Sequence, residues 1–451
     1  MDLYIYIDRM PELIRHENQT AHPEGRSPMA KLPTIYEAAR ETNVFAEADV
    51  VVVGAGPAGV TAAIAAAREG ADTILMERYG CLGGMATGGL VLMINQYPAG
   101  QCQEWLDRLN TVGGAHDLSK TKEPGILRRA IMVDPELLKC ILNDMALDAG
   151  VKQLLHSWST AAIVEENTVK GVIFESKSGR QAIMGKVTID ATGDGDVFAY
   201  SGAEFDASLD KSCRSSDLAM VFRIGGIDFD KFADFRAAQP GKWEEMRNGA
   251  FKLAGFPLVP VAAQRKDVFW VNSFIPGKSC INVEDLTWVD VNVRKAMLPV
   301  YSYYKKNVPG FESSYIYDSA SQTGTRGSRR LVGEYVLTGE EARSGKQFDD
   351  TVLMFPQGVP LSWPGGSEPK NVGMPYRCLV PVKLDGLLAA GRCFSSDQAA
   401  NTMFNVIPHC IQMGQAAGTA AALAVRNSVP PRKADIKALQ KRLIAQGVEL
   451  P

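Results

Sequence analysis

The 451-residue chain is poor in cysteine and histidine. Its cysteines are Cys81, Cys102, Cys140, Cys213, Cys280, Cys378, Cys393 and Cys410, and no two of them form a C-x-x-C pair. That argues against a disulfide scaffold and leaves buried thiols in a reducing compartment as the expectation. The histidines (His16, His22, His116, His156 and His409) have no Cys or His partner at metal-ligand spacing, so no metal site is expected. Neither sign of charge dominates. With 48 basic and 51 acidic side chains the net charge is −3, which gives no footprint for nucleic acid or an anionic membrane. A long hydrophobic run is also missing. Val50–Ala67 is uncharged, but Gly54, Gly56, Gly59 and Pro57 interrupt it, and a helix and tight turn explain it better than a membrane span. The opening MDLYIYIDRM carries Asp2, Asp8 and Arg9 and lacks the apolar core of a signal peptide. No internal repeat, coiled coil or low-complexity tract stands out. The expectation is a soluble, cytoplasmic protein.

What is present is ordinary globular material, 46% hydrophobic and 22% charged. At roughly 150 residues per domain, two or three domains are expected. Residues 1–47 are polar and broken by Pro11, Pro23, Pro28 and Pro33, and read as an N-terminal arm, either a mobile tail or a strap for the body or a neighbouring subunit in a homo-oligomer. At Ala48 the texture changes. Asp49–Val53 reads as a strand buried on both faces, Gly54-Ala-Gly-Pro-Ala-Gly59 as a tight turn, Val60–Glu69 as a helix stopped by Gly70, and Asp72–Met76 as a second strand. Asp134-Pro135 opens another helix, with Asp as N-cap, that runs to about Gly150. Alternating strands over 151–190 turn near Glu166-Asn167 and Ser178-Gly179.

The reading that follows is α/β: a Rossmann-like nucleotide domain, with a parallel sheet and a β-meander, assembled from 48–95, 134–205 and 381–427. A mixed α+β substrate (cap) domain is inserted as 96–133 and 206–380, the latter rich in Trp and Tyr and holding the Gly-rich loop Pro364–Ser367. Asp385–Ala390 returns as a strand, a small-residue helix follows from about Pro408 to Arg426, and 428–451 reads as a C-terminal tail helix.

The G-x-G-x-x-G pattern gains meaning from a preceding strand, a following helix and Glu77 eighteen positions after Gly59. Gly54 permits the turn, Gly56 lets backbone approach a pyrophosphate, and Gly59 lets helix and strand pack closely. The helix N-terminus offers N–H groups to phosphate, and Glu77 can accept the hydroxyl protons of an adenosine ribose. The fingerprint does not separate FAD from NAD. A second full fingerprint is missing, which speaks against an additional NAD(P)H site.

The next residues carry a resemblance. Glu77-Arg-Tyr-Gly-Cys-Leu-Gly-Gly-Met-Ala-Thr87 is similar to the FAD-dependent oxidoreductase family within the glutathione-reductase-like flavoproteins. The blocks Ile189–Val197, Arg329–Thr338, Tyr376–Pro381, Leu387–Cys393 and Gly414–Ala422 match in the same order. The resemblance spans about residues 46–427. It implies FAD as cofactor, with Gly54, Gly56, Pro57, Ala58 and Gly59 at the pyrophosphate and Glu77 and Arg78 at the ribose. It also implies Gly83, Gly84 and Met85 on the way to the flavin, backbone near Ser159 at the adenine, and Thr192, Gly193 and Asp194 closing over the dinucleotide. Gly391-Arg392 stands where many relatives have an acidic residue on the ribityl chain, so that role falls to Asp397 or to backbone. Asn405, Val406 and Ile407 would aim the last helix at the flavin N1–C2 oxygen region, favouring the anionic reduced ring. Plain helix packing is the other reading of that segment.

The implied activity is hydride transfer between a small organic substrate and flavin N5. A flavin isomerase or hydratase without net redox and a non-catalytic binding protein are the alternatives. His409 is a candidate general base or substrate donor, against a structural histidine, since helix N-termini disfavour a protonated imidazole. Arg326, Arg329 and Arg330 suit a substrate carboxylate, or internal ion pairs such as one to Glu334. Tyr376, with Arg377 beside it, is a further candidate for the flavin edge.

Overall fold

The computed structural model describes residues 34–95, 99–118, 130–209, 216–262, 265, 267–355 and 371–451. The chain divides into two compact units, residues 1–43 and 44–451. In the first, residues 34–42 are irregular and mostly exposed. Most of the expected arm, Cys213 and the Pro364–Ser367 loop lie outside the described residues.

The second unit is built on one β-α-β step. Strand β1 (Asn43–Val53) buries Val50–Val53 completely, because β-branched side chains fill a strand covered on both faces. Helix α1 (Pro57–Arg68) starts with proline at its first turn, where the missing N–H costs nothing. Strand β2 (Thr73–Met76) pairs parallel with β1, Val50 opposite Thr73 and Val53 opposite Met76. Helix α2 (Pro135–Asp148) is capped as its sequence demands, Asp134 accepting from the N–H groups of Glu136 and Leu137. Strand β3 (Lys152–Leu154) then joins the far edge of β2.

The meander follows as β4 (Trp158–Glu165), β5 (Thr168–Ser176) and β6 (Gly179–Asp190), antiparallel in sequence. β6 is long enough to serve two partners. Its first half pairs with β5, while its last residues lie beside β1 and pair parallel with β7 (Leu387–Ala389), Thr188 opposite Leu387. The parallel sheet and the meander therefore share one strand. Val51, Val53, Ile74, Met76, Phe174, Ile183 and Leu387 form one core cluster of this sheet.

Helix α3 (Ile407–Arg426) is buried along almost its whole length against α1. Its composition has a steric reason. A Cβ on Gly414 would lie 2.0 Å from the Ala58 carbonyl oxygen, and one on Gly418 2.0 Å from that of Ala62. Thr61 Oγ1 reaches across to the Ile411 carbonyl at 2.9 Å. Helix Gln101–Thr111, expected with the insertion, packs on α3 instead: Gln101 Nε2 donates to the Thr61 carbonyl, and Gln415 Oε1 accepts from the Gln101 N–H.

The stretch from Leu218 to Ser319 mixes helices and strands. Four antiparallel strands run in the order Leu258–Ala262, Phe269–Ser273, Phe222–Gly225, Tyr315–Ser319. Phe232, Trp243, Tyr304 and Phe311 pack edge-on or tilted against one another and against Phe269 of this sheet, which is where the concentrated aromatics go. The tail helix is Ile436–Ala445, held to the end of α1 by the Arg442–Glu69 ion pair at 2.7 Å. Among the described residues no helix is long and apolar enough to cross a membrane.

Candidate functional site

The three fingerprint glycines have different surroundings. Gly54 sits at φ +92°, and a Cβ there would lie 2.6 Å from the Ala191 carbonyl. A Cβ on Gly59 would fall 1.7 Å from the Gly54 carbonyl oxygen, so helix and turn touch through bare backbone. Gly56 is the opposite case. Its missing side chain points into open space, with no atom of the described residues beyond its chain neighbours within 4 Å. No side chain caps the N-terminus of α1 behind it. The following glycine loop closes nearby. The Gly83 N–H donates to the Ala55 carbonyl at 2.8 Å, a Cβ on Gly84 would meet Gly56 Cα at 2.7 Å, and the Met85 carbonyl accepts from Val91 at 2.8 Å.

Glu77 ends β2 facing this turn. Its carboxylate accepts from the Ala55 N–H at 2.7 Å and the Tyr79 N–H at 2.9 Å. Burial pushes its pKa up despite these bonds. The Arg78 guanidinium lies 4.8 Å from the Tyr79 ring centre and 5.1 Å from that of Trp158. Ser159, next along β4, is buried with no partner for its hydroxyl. Arg78, Tyr79, Trp158 and Asp194 line a pocket of about 180 Å³. Its opposite wall comes from residues 280–325: Cys280, Leu286, Asp290, Ser321, Thr323 and Thr325. Residues of the same stretch bond to the glycine loop. Trp270 Nε1 donates to the Leu90 carbonyl at 2.7 Å, and the N–H groups of Ser321 and Gln322 donate to the Gly88 carbonyl.

At the end of β6, Asp190 accepts from Thr192 N–H and Oγ1 and from the Phe198 N–H, pinning the Thr192–Asp194 turn. Burial pushes its pKa up to about 6. Asp194 is committed to protein partners. Arg392 Nη2 donates to it at 2.8 Å, Ser328 Oγ at 2.6 Å and Cys280 Sγ at 3.3 Å. Burial alone would raise Asp194, yet the Arg392 charge and the Ser328 bond hold it below the ordinary carboxylate range. Gly193, at φ +80°, leaves the space the Arg392 guanidinium fills. Asp397, the alternative to Arg392 at the ribityl chain, is engaged within the fold. Its carboxylate caps helix Gln398–Phe404 through the Ala400 N–H and also accepts from the Gly339 N–H. Gly391 lies between the two buried helix starts, its absent Cβ 2.9 Å from Ala58 Cβ and 3.9 Å from Cys410 Sγ.

The N-terminus of α3, with Val406 as N-cap and Ile407 first, also has no side-chain cap. Asn405 Nδ2 donates to the Arg326 carbonyl at 2.6 Å. His409, in the first turn, is 2% exposed, with its ring edge-on to Phe355 at 4.4 Å and Phe404 at 5.6 Å. Burial drives its pKa down to about 3, outweighing a hydrogen bond with the Phe404 backbone, so the ring is neutral at physiological pH.

The other candidates spread out. Arg326 stacks 4.0 Å over Phe274. Arg329 donates to Asp196 at 2.9 Å and to the Asp194 carbonyl at 3.1 Å. Arg330 is 2% exposed and pairs with Asp206 at 2.5 Å. Glu334, named as a partner for this cluster, instead pairs with Arg432 at 2.7 Å. Tyr376 donates its hydroxyl to the Pro431 carbonyl at 2.9 Å, its pKa raised by burial, and Arg377 pairs with Asp350. Arg330 and Tyr376 thus hold other parts of the fold together, because each finds its partner on an element far away in sequence.

These residues fit an extended dinucleotide: an open Gly56 cradle before an uncapped helix, a buried Glu77 carboxylate, and the Arg78 pocket beside them. Sequence reasoning missed Tyr79, Trp158 and the whole insertion wall. Trp158 adjoins a predicted contact, but nothing local marks Cys280, Asp290, Thr323 or Thr325.

Comparison with known proteins gives a family. The model of the family described as FAD dependent oxidoreductase matches residues 49–443. Digeranylgeranylglycerophospholipid reductase 1 of Methanococcoides burtonii is 28% identical over 191 residues, 41% of this chain and 46% of that protein. The thiamine thiazole synthase of Sulfolobus acidocaldarius is 33% identical over 169 residues, 35% of this chain and 60% of that protein. The matched segment thus spans about half the length of these curated relatives. Among solved structures, a geranylgeranyl bacteriochlorophyll reductase-like protein from Thermoplasma acidophilum is similar at TM-score 0.46 and 14% identity, covering 89% of this chain and 84% of the other.

Proposed function

From the premise that the chain belongs to the FAD dependent oxidoreductase family, we propose that it is an enzyme that binds FAD along the β1–α1 turn and exchanges a hydride with a small organic substrate. The observation that carries this reading is Gly56, the one fingerprint glycine whose side-chain direction is open rather than packed. The α1 N-terminus and the N–H groups around Gly56 would hold the pyrophosphate. Glu77 keeps lone pairs free beyond its backbone bonds and would take the ribose hydroxyls, with Arg78 and Trp158 flanking the adenosine. When bound, FAD supplies two-electron redox chemistry, accepting or donating a hydride at its ring.

The protein's own residues orient and shield. The open N-terminus of α3 would favour negative charge on the ring edge it faces. The 206–380 insertion, as a cap, excludes water through the Trp270–Leu90 and Ser321–Gly88 bonds. A glutathione-reductase-like arrangement of the cofactor, a cytoplasmic setting and a homo-oligomer joined through the N-terminal arm belong to the same proposal. The supporting measurement is direct. Purified protein, reconstituted with FAD where needed, is yellow and loses its visible band on anaerobic reduction. A colourless protein that takes up no FAD overturns the proposal.

A further inference from the structure

Helix Val283–Asn307 is apolar on two faces. The inner one, with Val289, Val293, Ala296, Val300 and Tyr304, is buried. The outer one faces solvent: Trp288 is 40% exposed, Val291 58% and Leu298 64%, and Val283 at the helix start 76%. Single exposed apolar residues need no explanation, but these share one stripe. Glu284, Trp288, Val291, Lys295 and Leu298 follow one another at steps of four, three, four and three, the spacing of a seam that packs against another helix. All five are exposed. The pocket beside Arg78 takes Leu286 and Asp290 from other sides of this helix, so the stripe has no part in it.

The charge on the helix is divided. From Val283 to Asp290 it carries Glu284, Asp285 and Asp290 and no base. From Val291 to Asn307 it carries Arg294, Lys295, Lys305 and Lys306 and no acid. The helix dipole favours acids in the first turn and bases in the last, but Arg294 and Lys295 lie near the middle, where it gives them nothing. Arg294 reaches back to Asp290 at 3.0 Å, which leaves the junction of the two halves locally neutral at Val291. A helix divided in this way is complementary to itself when reversed.

We infer that this stripe is the contact between two copies of the chain, the two helices crossing antiparallel about a two-fold axis near Val291. Reversal lays the acidic half of each copy on the basic half of the other, whereas a parallel pairing sets like charge on like. With the axis at Val291, Val283 meets Leu298 of the second copy and Trp288 lies under the stem of its Lys295, whose ammonium reaches Glu284. Each contact then occurs twice, as an isologous interface requires. The acidic half disfavours an anionic lipid surface as the occupant. This goes beyond the FAD reading and stands apart from the N-terminal arm.

The test is sedimentation velocity of the full-length, FAD-loaded protein over about 1 to 100 µM, with melting curves to show that each variant is folded. The parent should sediment as a dimer in the upper part of that range. Val291→Asp, at the axis, should weaken association at least ten-fold, and Leu298→Asp, which would face Glu284 of the second copy, should do the same. Glu284→Lys and Lys295→Glu should each weaken it, and the two together should restore it to within about three-fold of the parent, because the charges exchange places. A parent that stays monomeric to the top of the range overturns the inference. So does a dimer that Val291→Asp and Leu298→Asp leave intact, which would put the contact elsewhere, the N-terminal arm included. So does a double reversal that recovers nothing, which excludes the antiparallel pairing. Monomer that instead floats with phosphatidylglycerol vesicles and loses this binding in Val291→Asp would give the stripe to a lipid surface. Failure of the functional proposal is read separately, as a protein that takes up no FAD whatever its mass.

Discussion

At the residue scale, the three glycines of the turn make separable demands. Gly59→Ala forces a methyl to within 1.7 Å of the Gly54 carbonyl, so helix and turn must separate. A loss of about 2–3 kcal/mol in stability is expected, measured by urea unfolding of the apoprotein. Gly56→Ala meets nothing and its backbone, at φ −67°, suits alanine, so apoprotein stability should change by no more than about 0.5 kcal/mol. Its FAD affinity should nevertheless fall ten-fold or more by fluorescence titration, because the methyl enters the space assigned to the pyrophosphate. Unchanged FAD affinity in that variant would remove the pyrophosphate from this turn. His409 adds a pH dependence. Its folded pKa of about 3 lies below the unfolded value of about 6.5, so the unfolded chain binds the extra proton as pH falls. The associated stability is full above about pH 6.5 and is lost toward pH 3. Between pH 7.5 and 5.0 this single site should cost about 2 kcal/mol, and His409→Phe should lack that part of the acid sensitivity.

At the element scale, the position of α3 is decided by absent side chains. Gly414 and Gly418 bring its axis onto the backbone of α1, and Thr61 bridges the two helices by a hydrogen bond to the Ile411 carbonyl. Gly418→Val should therefore destabilise the protein by about 2–3 kcal/mol and lower FAD affinity together, since the shift moves both helix N-termini at once. A variant that melts as the parent does would show that the contact is looser than its geometry. The small-residue composition of this helix was legible in the sequence, as were β1, α1, β2 and the Asp134 cap, because each depends on neighbours within a few positions. The double use of β6 was not. A strand that is antiparallel to one neighbour and parallel to another has no local marker.

At the scale of the whole molecule, a buried ion pair joins the nucleotide-binding half to the insertion. Asp194 and Arg392 come from the ends of β6 and β7, while Ser328, Thr325 and Cys280 bond to them from the far side. Asp194→Ala would strand a buried guanidinium. A loss of about 3–5 kcal/mol is expected, together with earlier proteolytic cleavage in residues 280–330. Loss of stability without loosening of that segment would show that the pair holds β6 and β7 only.

The sequence by itself determined the α/β class, the strand-turn-helix with its acidic partner at Glu77, and the dinucleotide site they imply. These are set by backbone conformation and burial over short stretches. Only the tertiary structure decided that Arg392 takes Asp194 as its partner, that Arg330 and Tyr376 are occupied by Asp206 and Pro431, and that His409 is buried against Phe355 and Phe404. Charge pairing and desolvation depend on which distant segments meet, and that depends on how the insertion folds back over the sheet.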